Sequence, residues 1–269
     1  MEEKNINYGL LVAVVIIIIL FIPIVSDYIK NQNIEVLSSK EVTEKITDLK
    51  SSLIFVGNLD KTTKKELRKM RDKTRSDYSY EYEVFSVKKS KEIEEVLGKD
   101  VVAAIIIEGD IQKTYTKFDK KTLSNDVDRF LIGNITKDNA SYKVAKNFKE
   151  YKKTVKSDNV IVSVFGRESC YHCNRFKPVY NAVAEKYNLD IYYFDSDNYN
   201  KEQYKKIVNL DLTVPAKCSS KGAQFKLSEG FGTPLTIITK KNKVIDCIGG
   251  YVNRSSLIET LKNNKLISE

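Results

Sequence analysis

Cys170 and Cys173, separated by Tyr171 and His172, follow the apolar run Val160-Ile161-Val162-Ser163-Val164-Phe165 directly and precede a helical pattern. This layout puts a dithiol at a strand-to-helix turn. Thiol–disulfide exchange needs one thiolate to attack a disulfide and a second thiol within reach to resolve the mixed disulfide. A helix starting at Cys170 places Cys173 one turn later on the same side. It also leaves the Cys170 sulfur at the positive helix end, where a thiolate is favoured. Cys170 is therefore the expected nucleophile, Cys173 the resolver, and His172 a second electrostatic bias; it is the sole histidine in the chain. The same spacing also serves zinc ribbons, so the neighbouring pattern has to decide.

Pro178 follows Cys173 by five residues, and Phe176, Val179, Tyr180, Val183 and Tyr187 recur at helical spacing, so a long, kinked, half-buried helix is predicted. Residues 190–194 read as a strand and 199–208 as a helix. Gly232-Thr233-Pro234 opens a hairpin over 235–248, and Gly249-Gly250 leads to a closing helix over 255–266.

Residues 159–266 thereby resemble a thioredoxin-superfamily domain. The resemblance implies that Pro234 is cis, that its loop faces the dithiol, and that Thr233, Pro234 and Tyr171 contact an extended substrate. The chain also departs from that family. It contains no tryptophan, and Ser169 stands where one usually precedes the first cysteine. The family's buried carboxylate would fall near Val164, which carries no proton, leaving Glu168 as the candidate base. Tyr171-His172 replaces Gly-Pro, and histidine before the second cysteine is similar to protein disulfide isomerases and bacterial thiol oxidases. In those families it favours the reduced form. The resemblance thus implies an oxidase or isomerase, with a reductase, or a non-catalytic scaffold of a membrane machine, as the alternatives.

At 269 residues the chain exceeds one such unit, and 42% hydrophobic with 30% charged residues is globular. The net charge of +9 is spread along the whole length, which reads as solvated faces rather than a nucleic-acid surface. Residues 9–25 form an uncharged apolar run of 17 residues. As a helix it would measure about 26 Å, close to a bilayer core. Glu2 and Glu3 oppose Lys4 and no Ala-x-Ala site follows, so an uncleaved anchor is expected over a cleaved signal peptide. The charges flanking the run do not orient it. The body is placed outside the cytoplasm because a single N-terminal anchor usually delivers the chain there and thiol oxidation suits that compartment.

Residues 34–133 contain no cysteine. Strands are predicted at 34–37, 52–56, 80–87, 101–107 and 111–116, with helices at 40–49, 61–71, 91–97 and 120–132. A hairpin turns through Glu108-Gly109-Asp110. The order repeats that of the second half, consistent with a degenerate thioredoxin-like domain or an unrelated α/β domain, in either case with a substrate-binding or spacing role. Tyr78, Tyr80, Tyr82 and Phe85 read as core aromatics of one strand. A linker is expected between 133 and 139, then an amphipathic helix over 142–155, with the first strand of the second unit weak or missing.

Between Val208 and Pro234 the chain makes a turn-rich excursion near the active-site rim. It contains Cys218, and Cys247 lies in the last strand. A disulfide pinning the loop to the sheet and two free thiols are both consistent with the pattern. The expectation as a whole is α/β: an N-terminal transmembrane helix followed by two thioredoxin-like domains, the first degenerate. The domains are 1–29 (anchor), 30–134 (no cysteine) and 135–269 (dithiol). No cofactor or metal is expected beyond the redox-active Cys170–Cys173 pair. The partners are cysteine-containing protein substrates, a redox partner and the membrane through 9–25, with no nucleic acid. The location is the cell membrane, single-pass, with the soluble domains extracytoplasmic. The Lys-, Asn- and Ile-rich composition points to an AT-rich Gram-positive bacterium, in which proteins described as bacteriocin accessory proteins are similar.

Overall fold

The computed structural model describes residues 33–48, 50–73, 82–133, 135, 140–144, 148–219 and 221–268. The apolar run 9–25, Tyr78 and Tyr80, and most of the expected linker lie outside them. Among the described residues no helix is long and apolar enough to cross a membrane.

Strands β1 (Glu35–Leu37), β2 (Ser52–Val56), β3 (Glu83–Val87), β4 (Ala103–Ile107) and β5 (Asp110–Tyr115) form one sheet in the order β1-β3-β2-β4-β5. The first three run parallel; β4 is antiparallel to β2 and β5 to β4. Both β2 and β4 are buried along their whole length, as continuous apolar strands covered on two faces must be. Their alternation sorts the core. Leu53 and Phe55 pack with Leu67 and Met70 of α2 (Lys61–Arg71) and with Leu123 and Val127 of a later helix (Lys120–Val127). Ile54 and Val56 face Val42 of α1 (Ser39–Thr47) and Ile93 and Leu97 of α3 (Lys91–Leu97). That later helix is α4. Ser38, Asp60, Ser90 and Asp119 cap the four helices by accepting an N–H of the first turn, which halts the chain locally at each boundary.

Two local details differ in kind from the expectation. The helix expected over 120–132 is α-helical only to Val127 and widens into a π turn over Asp128–Ile132, ending at Gly133 with φ 74°. The wider turn carries Phe130, Leu131 and Ile132 together into the core, which a continued α-helix would not do. In the hairpin, Ile107 pairs with Asp110 across Glu108 (φ 48°) and Gly109 (φ 86°), a two-residue turn with both φ positive, one residue tighter than expected.

The second sheet comprises β6 (Lys143–Val144), β7 (Ile161–Gly166), β8 (Ile191–Asp195), β11 (Leu235–Lys240) and β12 (Lys243–Gly249) in the order β6-β8-β7-β11-β12. The excursion contributes its own small pair, β9 (Thr213–Val214) and β10 (Phe225–Lys226). Helices α5 (Phe148–Val155) and α7 (Lys201–Val208) accompany one core, α6 (Tyr171–Lys186) and α8 (Arg254–Asn263) the other. Strand order and directions match the first sheet, and both are thioredoxin-like in a mixed α/β architecture.

Here the helix expected over 142–155 is corrected. Lys143 and Val144 instead pair in parallel with Tyr192 and Tyr193, and the described helix is Phe148–Val155. Tyr142 packs its ring 5.4 Å from that of Tyr193. Pairing with the open edge of β8 satisfies backbone groups that helical periodicity alone leaves out of the reckoning, so the strand thought missing lies inside the segment read as helix.

The two halves meet along α6. Ala182 belongs to the core of the first half, and Gln112 Nε2 donates to its carbonyl at 3.5 Å. Arg129 donates to buried Asp126 at 3.2 Å and to Ser141 at 2.7 Å, and pairs with Glu185 of α6. Tyr115 adds its hydroxyl to Asp126 at 2.8 Å. A Cβ on Gly133 would lie 3.1 Å from Pro178 Cγ and 3.3 Å from the Asn174 carbonyl, so with φ at 74° glycine is the favoured residue where the chain passes the helix. At the hairpin tip, Glu108 accepts from the Tyr251 hydroxyl and the Arg254 N–H.

Candidate functional site

The register Leu235↔Phe165 brings the C-terminal end of β7 beside the start of β11. The loops that carry the dithiol and the Thr-Pro pair therefore share one edge of the sheet. Cys170 is the N-cap of α6, and its sulfur accepts the Cys173 N–H at 3.2 Å. A sulfur used as a cap meets both the N–H donor and the positive helix end, so the local fold favours negative charge on Cys170. The two cysteines are joined in a disulfide with Cα atoms 5.2 Å apart. Cys170 is 8% exposed and Cys173 fully buried, so an incoming sulfur reaches Cys170.

Thr233–Pro234 is cis, and the Thr233 carbonyl oxygen lies 3.4 Å from Cys170 Sγ. The Pro234 carbonyl accepts the Gly250 N–H at 2.8 Å, tying the loop to the glycine pair after β12. Tyr171 and His172 turn outward, their rings 5.3 Å apart, with Tyr171 46% exposed. Both residues are exposed beside the dithiol.

Behind the dithiol, Glu168 was the candidate read from sequence; Lys177 and Asp195 were not singled out. Lys177, one turn beyond Cys173, is 2% exposed and paired with the Glu168 carboxylate. Its Nζ lies 5.4 Å from the Tyr193 ring centroid. Asp195, at the end of β8, is buried, and its carboxyl sits above its ordinary range. Burial is the main cause; the Asp197 N–H at 3.0 Å opposes it, and the nearby Glu168 charge adds to it against Lys177. Burial likewise raises the Tyr193 phenol. Val164, where the resemblance puts a carboxylate, is fully buried in the apolar core. A lysine amid the apolar face of a Cys-bearing helix was the available signal. The preceding loop is held by Asn174 Nδ2, which donates to the Glu168 carbonyl at 2.6 Å, and by Asp197, whose carboxylate accepts from Glu168 N at 3.0 Å.

Cys218 and Cys247 form a second disulfide with Cα atoms 6.2 Å apart. It joins the excursion to β12, beside an ion pair of Lys217 with Asp246. Burial acts to raise the Asp246 carboxyl, but Lys217, Asn264 and the Cys247 N–H outweigh it and hold the group below its ordinary range.

No family model matches the chain, and no curated protein does. Among solved structures it is similar to a thioredoxin from Trypanosoma brucei brucei, at 16% identity and TM-score 0.34, over 46% of this chain and 90% of that one. It is also similar to a single-site mutant of thioredoxin from Halobacterium salinarum NRC-1, at 14% identity and TM-score 0.33, over 48% of this chain and 92% of that one. Thioredoxin NaTrxh from Nicotiana alata gives 17% identity and TM-score 0.33, over 48% of this chain and 95% of that one.

Proposed function

We propose that the protein is a thiol–disulfide oxidoreductase that oxidises or isomerises cysteine-containing protein substrates outside the cytoplasmic membrane, anchored there through residues 9–25. One observation carries the reading: the exposed-side sulfur of a buried disulfide caps a helix and lies 3.4 Å from the Thr233 carbonyl. The second disulfide, Cys218–Cys247, supports an oxidising compartment.

In the oxidising direction a substrate thiolate attacks Cys170 Sγ. The Cys170–Cys173 bond breaks and Cys173 leaves as a thiolate. A second substrate thiolate then attacks the substrate sulfur of the mixed disulfide, forming the product disulfide and releasing Cys170 as a thiolate. The helix end and the Cys173 N–H stabilise that leaving group. The buried Cys173 thiolate takes a proton, for which the Glu168–Lys177–Asp195 group behind it is the ionisable neighbour on the same helix side. Thr233 and Tyr171 hold the substrate chain, and His172 biases the pair towards the reduced form. The redox partner reoxidises the dithiol by the reverse exchange. No other cofactor is invoked.

The decisive experiment follows alkylation of reduced intact protein against pH, with Cys170→Ser as control. One reactive thiol titrating well below about 7 supports the reading; a value near the ordinary 8.5, or no reactive thiol, overturns it. A reduction potential of about −120 to −180 mV identifies an oxidase or isomerase, and one near −270 mV the alternative reductase.

A further inference from the structure

We propose that the Cys218–Cys247 disulfide is a second exchange site, opened by low-molecular-weight thiols that attack Cys218. The two sulfurs are not equivalent. Cys247 is 4% exposed and belongs to the core with Ile237 and Val214. Cys218 is half-buried and borders a cavity of about 190 Å³, together with Ser219, Lys221, Phe225, Glu229 and Gly232. This partly open space takes the cysteinyl end of a small thiol such as glutathione, and among the described residues that line it Cys218 is the sulfur-bearing one. Lys221, exposed in the lining, attracts an anionic thiolate, while Glu229, also exposed there, opposes a second negative charge.

The exchange balances without another reagent. A thiolate forms a mixed disulfide with Cys218 as the bond to Cys247 breaks, and Cys247 leaves as a thiolate that takes a proton from water. A second thiolate displaces Cys218 and carries away the small disulfide. Two thiols are oxidised and one protein disulfide is reduced.

The consequence reaches the dithiol. The Cys218 carbonyl and Cα press against β12, where a Cβ on Gly249 would lie 3.0 Å and 3.2 Å from them. From Cys218 the chain runs on to Thr233, whose carbonyl touches the Cys170 sulfur. Opening the clasp loosens the segment that forms the substrate rim; this part rests on the proposed function.

The test treats the intact wild-type chain with reduced glutathione, quenches by alkylation and maps each cysteine by mass spectrometry. The expected product carries glutathione on Cys218 and alkyl on Cys247 while the protein stays folded. Lys221→Glu should slow this step about fivefold for glutathione, whose thiolate form carries a net charge of about −2, and distinctly less for 2-mercaptoethanol, whose thiolate carries about −1. Glutathione on Cys247, opening only where denaturant unfolds the chain, or equal slowing of both thiols overturns the proposal. With a peptide disulfide as substrate, Cys218→Ser/Cys247→Ser should raise KM several-fold with kcat little changed; an unchanged KM overturns the coupling. Absence of turnover in the wild type sinks the oxidoreductase reading instead, while the mapping still decides the exchange chemistry.

Discussion

Lys177, one helical turn beyond Cys173, is buried and paired with the Glu168 carboxylate, which belongs to the loop just before Cys170. The pair thus ties the helix that carries both cysteines to the loop that presents them. It also sets a cation between Glu168 and the buried Asp195, whereas Val164 lies in the apolar core.

Lys177→Met should keep the helix but remove the cation. Loss of one partner of a buried pair costs up to several kcal/mol; Glu168 remains half-exposed, so about 2 kcal/mol is expected. Urea unfolding measures it. The two carboxyls then lose their counter-charge, and the pH profile of turnover should move to higher pH; a profile that stays put removes this group from the proton path.

Asp195 makes a distinct pH signature. Its carboxyl is raised above the ordinary 3.8 in the folded state, so the folded chain binds the proton more tightly. The stability this gives is fully present below the unfolded value and is lost as pH rises through the folded value. Asp195→Asn should therefore narrow the difference between acid and neutral stability, gaining on wild type as pH rises from about 4. Parallel denaturation curves across that range compare the two.

Gly133→Ala should destabilise by about 1–2 kcal/mol, since alanine is strained at φ 74° and its Cβ would press on Pro178 and Asn174. The pressure falls on the cysteine helix, so turnover should drop with stability. Full turnover in a destabilised variant would show that the contact holds the halves without aligning the dithiol.

Cys218→Ser/Cys247→Ser should lower unfolding free energy by about 3 kcal/mol, because the bond closes a loop with a sequence separation of 29. The denaturation midpoint of the oxidised proteins reads it. A change below about 1 kcal/mol would mean that Lys217–Asp246 and buried Leu227 already hold the excursion.

Much of this was written locally. An apolar run followed by Cys-x-x-Cys and a proline-bearing helix, strands of unbroken Val, Ile and Ala, Ser and Asp caps, and a Glu-Gly turn each act within a few residues, so spacing and propensity locate them. Three other features depend on partners far along the chain. Lys143 and Val144 became strand because β8 offered an open edge. Cys218 met Cys247 because the excursion folds onto β12. Lys177 could be buried because Glu168 and Tyr193 came to meet it. Order along the chain is thus enough to place most of the elements and the dithiol. The charges that lie behind it and the loop clasped beside it follow from the assembled fold, because desolvation and pairing are set by what packs together across the molecule, not by what is adjacent in sequence.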